Sequence, residues 1–271
     1  MKRSMLLLAG VFASCSGSGT LSLTTWGEAF IEQEIPSSEF EDGYSVRYTK
    51  FIVSFHDFTL ATKTGTKGPT QKAPYLVDVT KRGPVELEKF ESVPALKYDA
   101  VSYAIAPASA DSVGVGAIAS ADVEAMKMGG WSMWVEGTLS KAGVTKSFSW
   151  KFELTTHYEN CTNPDFGEGA TVPTGGTETV ELTNHGDHLW YDDLQSPEAK
   201  LRGTAVASAD ADMDGVITQA ELANVQLTTL PLGQYGTAGA GGVKTLADFQ
   251  RALVRSIGHY RGEGECEARA R

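Results

Sequence analysis

The chain is short of cysteine and of positive charge, and each shortage narrows what it can be. Its 271 residues include 3 cysteines, Cys15, Cys161 and Cys266. No two of them form a C-x-x-C, which argues against thiolate-rich zinc scaffolds and a thioredoxin-like redox motif. Lys and Arg together number 23 against 34 Asp and Glu, a formal net charge of −11. Neither nucleic acid nor an anionic membrane surface suits such a chain as its main partner. There is no G-x-S-x-G and no H-E-x-x-H, so the local signatures of α/β-hydrolases and zinc proteases are missing. Gly236 to Thr245 is glycine-rich like a phosphate-binding loop, but Val243 separates Gly242 from Lys244 and breaks the spacing. No catalytic constellation is written here, and a non-enzymatic protein is expected.

Long hydrophobic runs are scarce too. The apolar run Met5 to Phe12 is too short to span a bilayer. Preceded by Lys2 and Arg3, it reads as the h-region of a signal peptide covering residues 1–14. Ala13 and Ser14 then lead into Cys15. This segment resembles the lipobox of bacterial lipoproteins, which implies that Cys15 is diacylated and becomes the mature N-terminus. An ordinary secretory signal cleaved near the same place is the other reading. Either way the protein is exported. Residues 15–19 read as a lipidated cysteine followed by a flexible tether, Ser16-Gly17-Ser18-Gly19. Similarity to Gram-negative sorting signals, with serine after the cysteine, implies a lipid anchor in the outer membrane, facing the periplasm or the surface. With Cys15 acylated, Cys161 and Cys266 are left as a disulfide pair in an oxidising compartment.

What the sequence does hold is alternation. Apolar residues make up 41%, enough for one large domain or two smaller ones. In residues 20–195, Tyr44, Val46 and Tyr48 take even positions, then Phe51, Val53 and Phe55 odd ones, then Phe58 and Leu60 even ones. Each parity change implies a bulge or bend, near Thr49-Lys50 and near His56-Asp57. Further runs at Tyr75 to Val79, Val101 to Ile105, Trp131 to Val135 and Phe148 to Leu154 continue the pattern. The expected fold is mainly β with α. It is an N-terminal antiparallel β-sandwich, immunoglobulin-like or transthyretin-like, followed by a small helical domain over 196–271. One helix, Ala121 to Met128 capped by Ser120, is predicted within the sandwich. His56 reads as a partly buried structural histidine. Trp131, Trp134 and Trp150 offer a stacking surface for sugars or, more simply, core.

The helical part carries the clearest motif. Residues 210–221 read DADMDGVITQAE. Asp210, Asp212 and Asp214 alternate, Gly215 permits a sharp reversal, and Glu221 ends the run. Alternate carboxylates, the Val216 carbonyl, Thr218 acting through water and a bidentate Glu221 supply the oxygens that Ca²⁺ requires. The pattern matches D-x-[DN]-x-[DN]-G-x₅-E throughout. It is identified as an EF-hand calcium loop, which implies an entering helix from Ser196-Pro197 to Ala209 and an exiting helix from Thr218 to about Gln226. An acidic turn with Thr218 and Glu221 as a capping box is the alternative. Gly242 to Phe249 repeats Gly215 to Leu222 at an offset of 27, without carboxylates at the earlier ligand positions. That repeat is either a degenerate second half or a second threonine-capped helix.

A second candidate is denser in nitrogen. His185, Asp187 and His188 lie within four residues of a chain with 5 histidines. They could hold a transition metal, with His157 as a distant partner, provided Gly186 lets the chain turn. A polar strand end with solvated Asp192 and Asp193 is the plainer reading. The Trp131 to Cys161 stretch, with its aromatic strands, Gly137 and closing cysteine, resembles the methanobactin-associated copper proteins. That likeness implies periplasmic transition-metal handling as the alternative to calcium binding.

Overall fold

The computed structural model describes residues 17–270. The predicted signal peptide and the lipidation site Cys15 lie outside them. The fold is mainly β with short helices, and it is organised around the 17-residue strand Ser45–Ala61. Its inward residues follow the parity read from the sequence: Val46 and Tyr48, then Phe51, Val53 and Phe55, then Phe58 and Leu60 are all buried. Register shifts fall between Tyr48 and Lys50 and between His56 and Thr59. At the second, Asp57 adopts a left-handed φ of 54°. Both bulges arise where a two-residue period must change face without losing the core.

This strand lies inside an eleven-stranded sheet. Its antiparallel neighbours are Ala100–Ile105 and Met133–Lys141, and beyond the latter lies Val144–Phe152. A four-stranded sheet runs Gly258–Tyr260, Thr177–Asn184, Ser18–Trp26, Val85–Pro94. The sheets share one core. Leu21, Leu23, Val180 and Leu182 of the smaller sheet belong to the same buried cluster as Phe51, Val53 and Phe55 of the larger. Phe58 stacks on Phe90 across the two, centroids 6.1 Å apart. Each such fully buried side chain is worth about 1.5–3 kcal/mol in transfer terms.

Several expectations need correction. The sheets are not purely antiparallel, because Ser18–Trp26 pairs in parallel with Thr177–Asn184. Ser18 and Gly19, expected in the tether, already pair with Pro94 and Val93. The helix Ser120–Gly129 forms, ending at a left-handed Gly130, but Ala119 stands at its N-cap and no side chain caps it.

The separate helical domain does not form. The helices near the acidic loop are short, Thr204–Ala207, Gln219–Asn224 and Leu246–Leu253. Leu222, Leu246, Phe249 and Leu253 join the main core rather than a second one. Three late strands return to the sheets: Val216–Ile217 pairs with Val144–Phe152, Gly258–Tyr260 with Thr177–Asn184, and Glu265–Ala270 with Thr156–Asn163. No helix starts at Ser196-Pro197. Asp193 Oδ1 accepts from the N–H groups of Gln195 and Ser196, making a turn. The entering helix begins only after Gly203, where the Asp42 carboxylate accepts from Gly203 and Thr204 N–H.

The sulfurs of Cys161 and Cys266 lie 2.09 Å apart, at bonding distance, as paired in the sequence reading. Trp150 is fully buried. Trp131 and Trp134 are partly buried, packed against a small core of Ile52, Leu76, Ala108 and Met126; they pair edge-on and are covered by the Lys50 and Lys151 ammonium groups. The cations occupy faces that a sugar ring would need. His56 is partly buried, its Nε2 2.8 Å from Ser54 Oγ, a structural role.

Candidate metal sites

The acidic loop is fastened to the edge of the larger sheet. Ser147 N–H donates to the Gly215 carbonyl at 2.8 Å, and Trp150 Nε1–H donates to the Ile217 carbonyl at 3.0 Å. The residues after the turn thus pair with the strand Val144–Phe152. Gly215 has φ +83°, a left-handed conformation that only glycine adopts without strain.

Ligand oxygens of Asp210, Asp212 and Glu221 lie within 4.8 Å of one another. Asp210 is 5% exposed. Its Oδ2 is 2.8 Å from the Lys146 ammonium and accepts from Gly215 N–H. Its Oδ1 is buried with no partner. The lysine holds this carboxyl below the usual carboxylate range, against a smaller opposing effect of burial. Glu221 Oε1 accepts from Ala211 N–H, while Oε2 accepts from Thr218 N–H and hydroxyl. The capping box is therefore formed, with Thr218 Oγ1 accepting from Glu221 N–H. Asp214 stays outside the carboxylate grouping, its Oδ1 accepting from Val216 N–H. Thr245 and Asp248 make a second capping box in the repeat.

The histidine site is assembled differently. The strand Thr177–Asn184 ends at His185, whose N–H donates to the Ile257 carbonyl. Gly186 then turns the chain into a 3₁₀ helix, Asp187–Trp190, which carries His188. A Cβ on Gly186 would sit 2.6 Å from Ile31 Cγ1 and 2.9 Å from Tyr48 Cε2. Only glycine lets the turn seat this deeply. Tyr48 Oη–H donates to the Gly186 carbonyl at 2.6 Å and accepts from Trp190 Nε1–H. His259 arrives on Gly258–Tyr260, paired opposite Thr183.

The three imidazoles converge. His185 and His259 are stacked with centroids 3.9 Å apart, and His188 lies 5.3 and 4.9 Å from them. One ring nitrogen from each lies within 4.8 Å of the others. The Ser256 carbonyl is 2.7 Å from His188 Nδ1 and 3.2 Å from His259 Nε2. Accepting from both fixes tautomers in which His188 Nε2 and His259 Nδ1 carry free lone pairs. His259 Nδ1 and His185 Nε2 are buried without hydrogen-bond partners. Glu28 Oε2 stands 3.4 Å from His185 Nε2. Glu28 itself has a left-handed φ of 54°. Burial opposes the charged form of His185, yet the carboxylates of Glu28, Asp187 and Glu263 together outweigh it and raise the pKa. Burial, with the neighbouring His185 and His188, pushes His259 down to about 3.

Two expectations change here. Asp187 does not join His185 and His188; its Oδ2 accepts from Tyr191 Oη–H. His157 lies on Thr156–Asn163 opposite Arg269, outside the cluster. Sequence reasoning missed His259, Glu28 and Ser256, which carry no local motif. A cavity of about 340 Å³ borders the cluster, lined by His188, His259, Tyr191, Ser256, Glu265 and Cys266 among others.

No protein-family model, curated protein or solved structure matches the chain.

Proposed function

We propose that this is an exported, lipid-anchored and non-enzymatic calcium-binding protein, in which Ca²⁺ bound at residues 210–221 secures the C-terminal segments to the sandwich. The observation that carries the reading is Asp210, a carboxylate 5% exposed whose Oδ1 has no partner. A buried, unpaired carboxylate oxygen is costly unless something cationic meets it. Carboxylate oxygens of Asp212 and Glu221 lie within 4.8 Å of an oxygen of Asp210, and the motif supplies Asp214, the Val216 carbonyl and Thr218 for the rest of the shell. The residues present fit a hard cation, with Lys146 engaging only the other Asp210 oxygen. The scaffold is read as an immunoglobulin- or transthyretin-like sandwich, supported by two sheets on a common core. Export and the lipid anchor at Cys15 rest on the lipobox-like segment. By resemblance to EF-hands this is one complete loop beside a carboxylate-poor repeat.

Titration calorimetry on the full chain tests this. One site with a dissociation constant of ~10⁻⁴–10⁻³ M is expected, the range of extracellular modules. A chain that gives neither heat nor a shift in its thermal melt with calcium overturns the reading.

A further inference from the structure

We infer that His185, His188 and His259 form a second metal site, one that takes a divalent first-row transition ion of the zinc–copper class through three neutral imidazoles. It is independent of the calcium reading. The argument begins with cost. Two buried imidazole nitrogens, His185 Nε2 and His259 Nδ1, have no hydrogen-bond partner, and a fold that gains nothing from such atoms satisfies or exposes them. Here they sit in one cluster with His188, every contributing nitrogen within 4.8 Å of the others. Nitrogens bound to one ion at about 2.0–2.1 Å lie roughly 3.4 Å apart in tetrahedral geometry. Closing the site takes a shift of about an ångström and splays the stacked His185 and His259 rings, 23° from parallel, so that both lone pairs reach one ion.

The surroundings fit a metal rather than a chance contact. His188 and His259 donate their other ring N–H to a single acceptor, the Ser256 carbonyl. A backbone carbonyl accepting from a ring N–H is the kind of outer partner that orients metal-bound histidines. Glu28 Oε2 lies 3.4 Å from His185 Nε2 itself and adds negative charge beside the site. Glu265, with Oε1 4.0 Å from His259 Nδ1, adds negative charge near the site. Imidazole donors select zinc and copper over calcium or magnesium, which prefer oxygen. Three protein ligands leave a fourth position, and the adjoining cavity of about 340 Å³ gives water or a small ligand access to it.

The test uses the full chain stripped with chelator and dialysed. Zn²⁺ and Cu²⁺ are titrated separately by calorimetry, and the Cu²⁺ form is examined by electron paramagnetic resonance for nitrogen hyperfine structure. One ion per chain and splitting from several nitrogens are expected. His259→Ala and His188→Ala should each weaken binding by about a hundredfold or more, the scale at which even outer-shell partners act. His157→Ala and Asp187→Asn should leave affinity within about threefold. Folding of each variant is checked by circular dichroism and by retention of its calcium response. His188→Gln, at a half-buried position, is the fallback should His259→Ala unfold. Glu221→Gln separates the two readings: it should abolish the calcium response and leave Zn²⁺ and Cu²⁺ binding intact. Binding that survives both His259→Ala and His188→Ala, or no binding beyond that of a His185→Ala/His188→Ala/His259→Ala variant, overturns the inference.

Discussion

The acidic loop and the histidine cluster are both compact arrays of ligating atoms, yet the chain builds them in opposite ways. The loop is local: every carboxylate lies within the stretch Asp210–Glu221, and the left-handed Met213 and Gly215 make the reversal. Its geometry is carried largely by its own backbone N–H groups donating to its own carboxylates, with Lys146, Ser147 and Trp150 tying it to the sheet. The cluster is non-local, drawn from the end of Thr177–Asn184, from the 3₁₀ helix Asp187–Trp190, and from Gly258–Tyr260. It exists only when the smaller sheet is paired. A local site tolerates damage elsewhere, whereas a non-local one reports on the whole fold. The two should therefore respond differently to the same perturbations.

The largest separation should come from removing the disulfide. Cys161 and Cys266 close a loop with sequence separation 105, and chain entropy gives such a loop a stabilisation of about 4–5 kcal/mol at its upper limit. The Cys161→Ser/Cys266→Ser variant should lose a large part of that in denaturant unfolding. The strand Glu265–Ala270 would be freed where Glu265 and Cys266 line the cavity beside His259. Transition-metal affinity should drop while calcium affinity holds. Equal losses at both sites would show that the contrast is not one of local against non-local assembly.

Gly186→Ala should come next. A methyl group there meets Ile31 and Tyr48 at 2.6 and 2.9 Å, and overpacking of this kind costs about 1–3 kcal/mol. Because Gly186 lies between two of the histidines, the strain should also tilt His188 away from its partners. The expected outcome is a lower melting temperature with weakened Zn²⁺ and Cu²⁺ binding and an unchanged calcium titration. Loss of calcium binding as well would mean that Tyr48, Trp190 and Trp150 couple the sites rigidly.

The same contrast explains what could be read before the fold was known. Local signals were legible. The parity changes around Thr49 and His56 became bulges, and Thr218 with Glu221 became a capping box. Long-range pairings were not. His259 sits about seventy residues after His188, and nothing in its own neighbours announces that Gly258–Tyr260 will pair with Thr177–Asn184. The entering helix was misplaced for a like reason. Its start is set by Asp42, 162 residues before Thr204, rather than by the Ser196-Pro197 pair. The expected helical domain failed because amphipathic spacing at Phe249 and Leu253 says that a face is buried, not against what. Here it is buried against the main core, which the sheets share.

Lys146 offers a smaller and more selective test. It holds Asp210 at 2.8 Å and donates to the Ala207 carbonyl. Its charge keeps the Asp210 carboxyl below the ordinary range. A carboxyl depressed in the folded state stabilises the fold above its unfolded pKa, and that stability is lost as the pH falls through the lower folded value. In chelator, Lys146→Met should weaken the chain near neutral pH and flatten the acid limb of its stability curve. Calcium should restore much of the loss, because the ion then meets Asp210 in place of the ammonium group. A variant with wild-type acid sensitivity in chelator would remove Lys146 from this role.

The smallest effect is the calcium step itself, and it is the most specific. At a calcium concentration ten times the dissociation constant, mass action adds about 1.4 kcal/mol to the stability of the bound state. For a chain of this size that corresponds to a rise of roughly 3–5 °C in melting temperature. Glu221→Gln should remove most of it, since a neutral amide offers one weaker oxygen where the motif needs two charged ones. The capping role must be kept separate, because Glu221 Oε2 also accepts from Thr218 N–H. Asp248→Asn supplies the control. Asp248 makes the matching box with Thr245, but the positions upstream that correspond to the aspartates are Thr237, Gly239 and Gly241. Both variants should therefore lose a similar small amount of stability in chelator, through weakened caps. Only Glu221→Gln should also lose the calcium-dependent rise. If both retain it, the ion is not held by this loop; if both lose it, the two halves bind calcium together and the single-loop account fails.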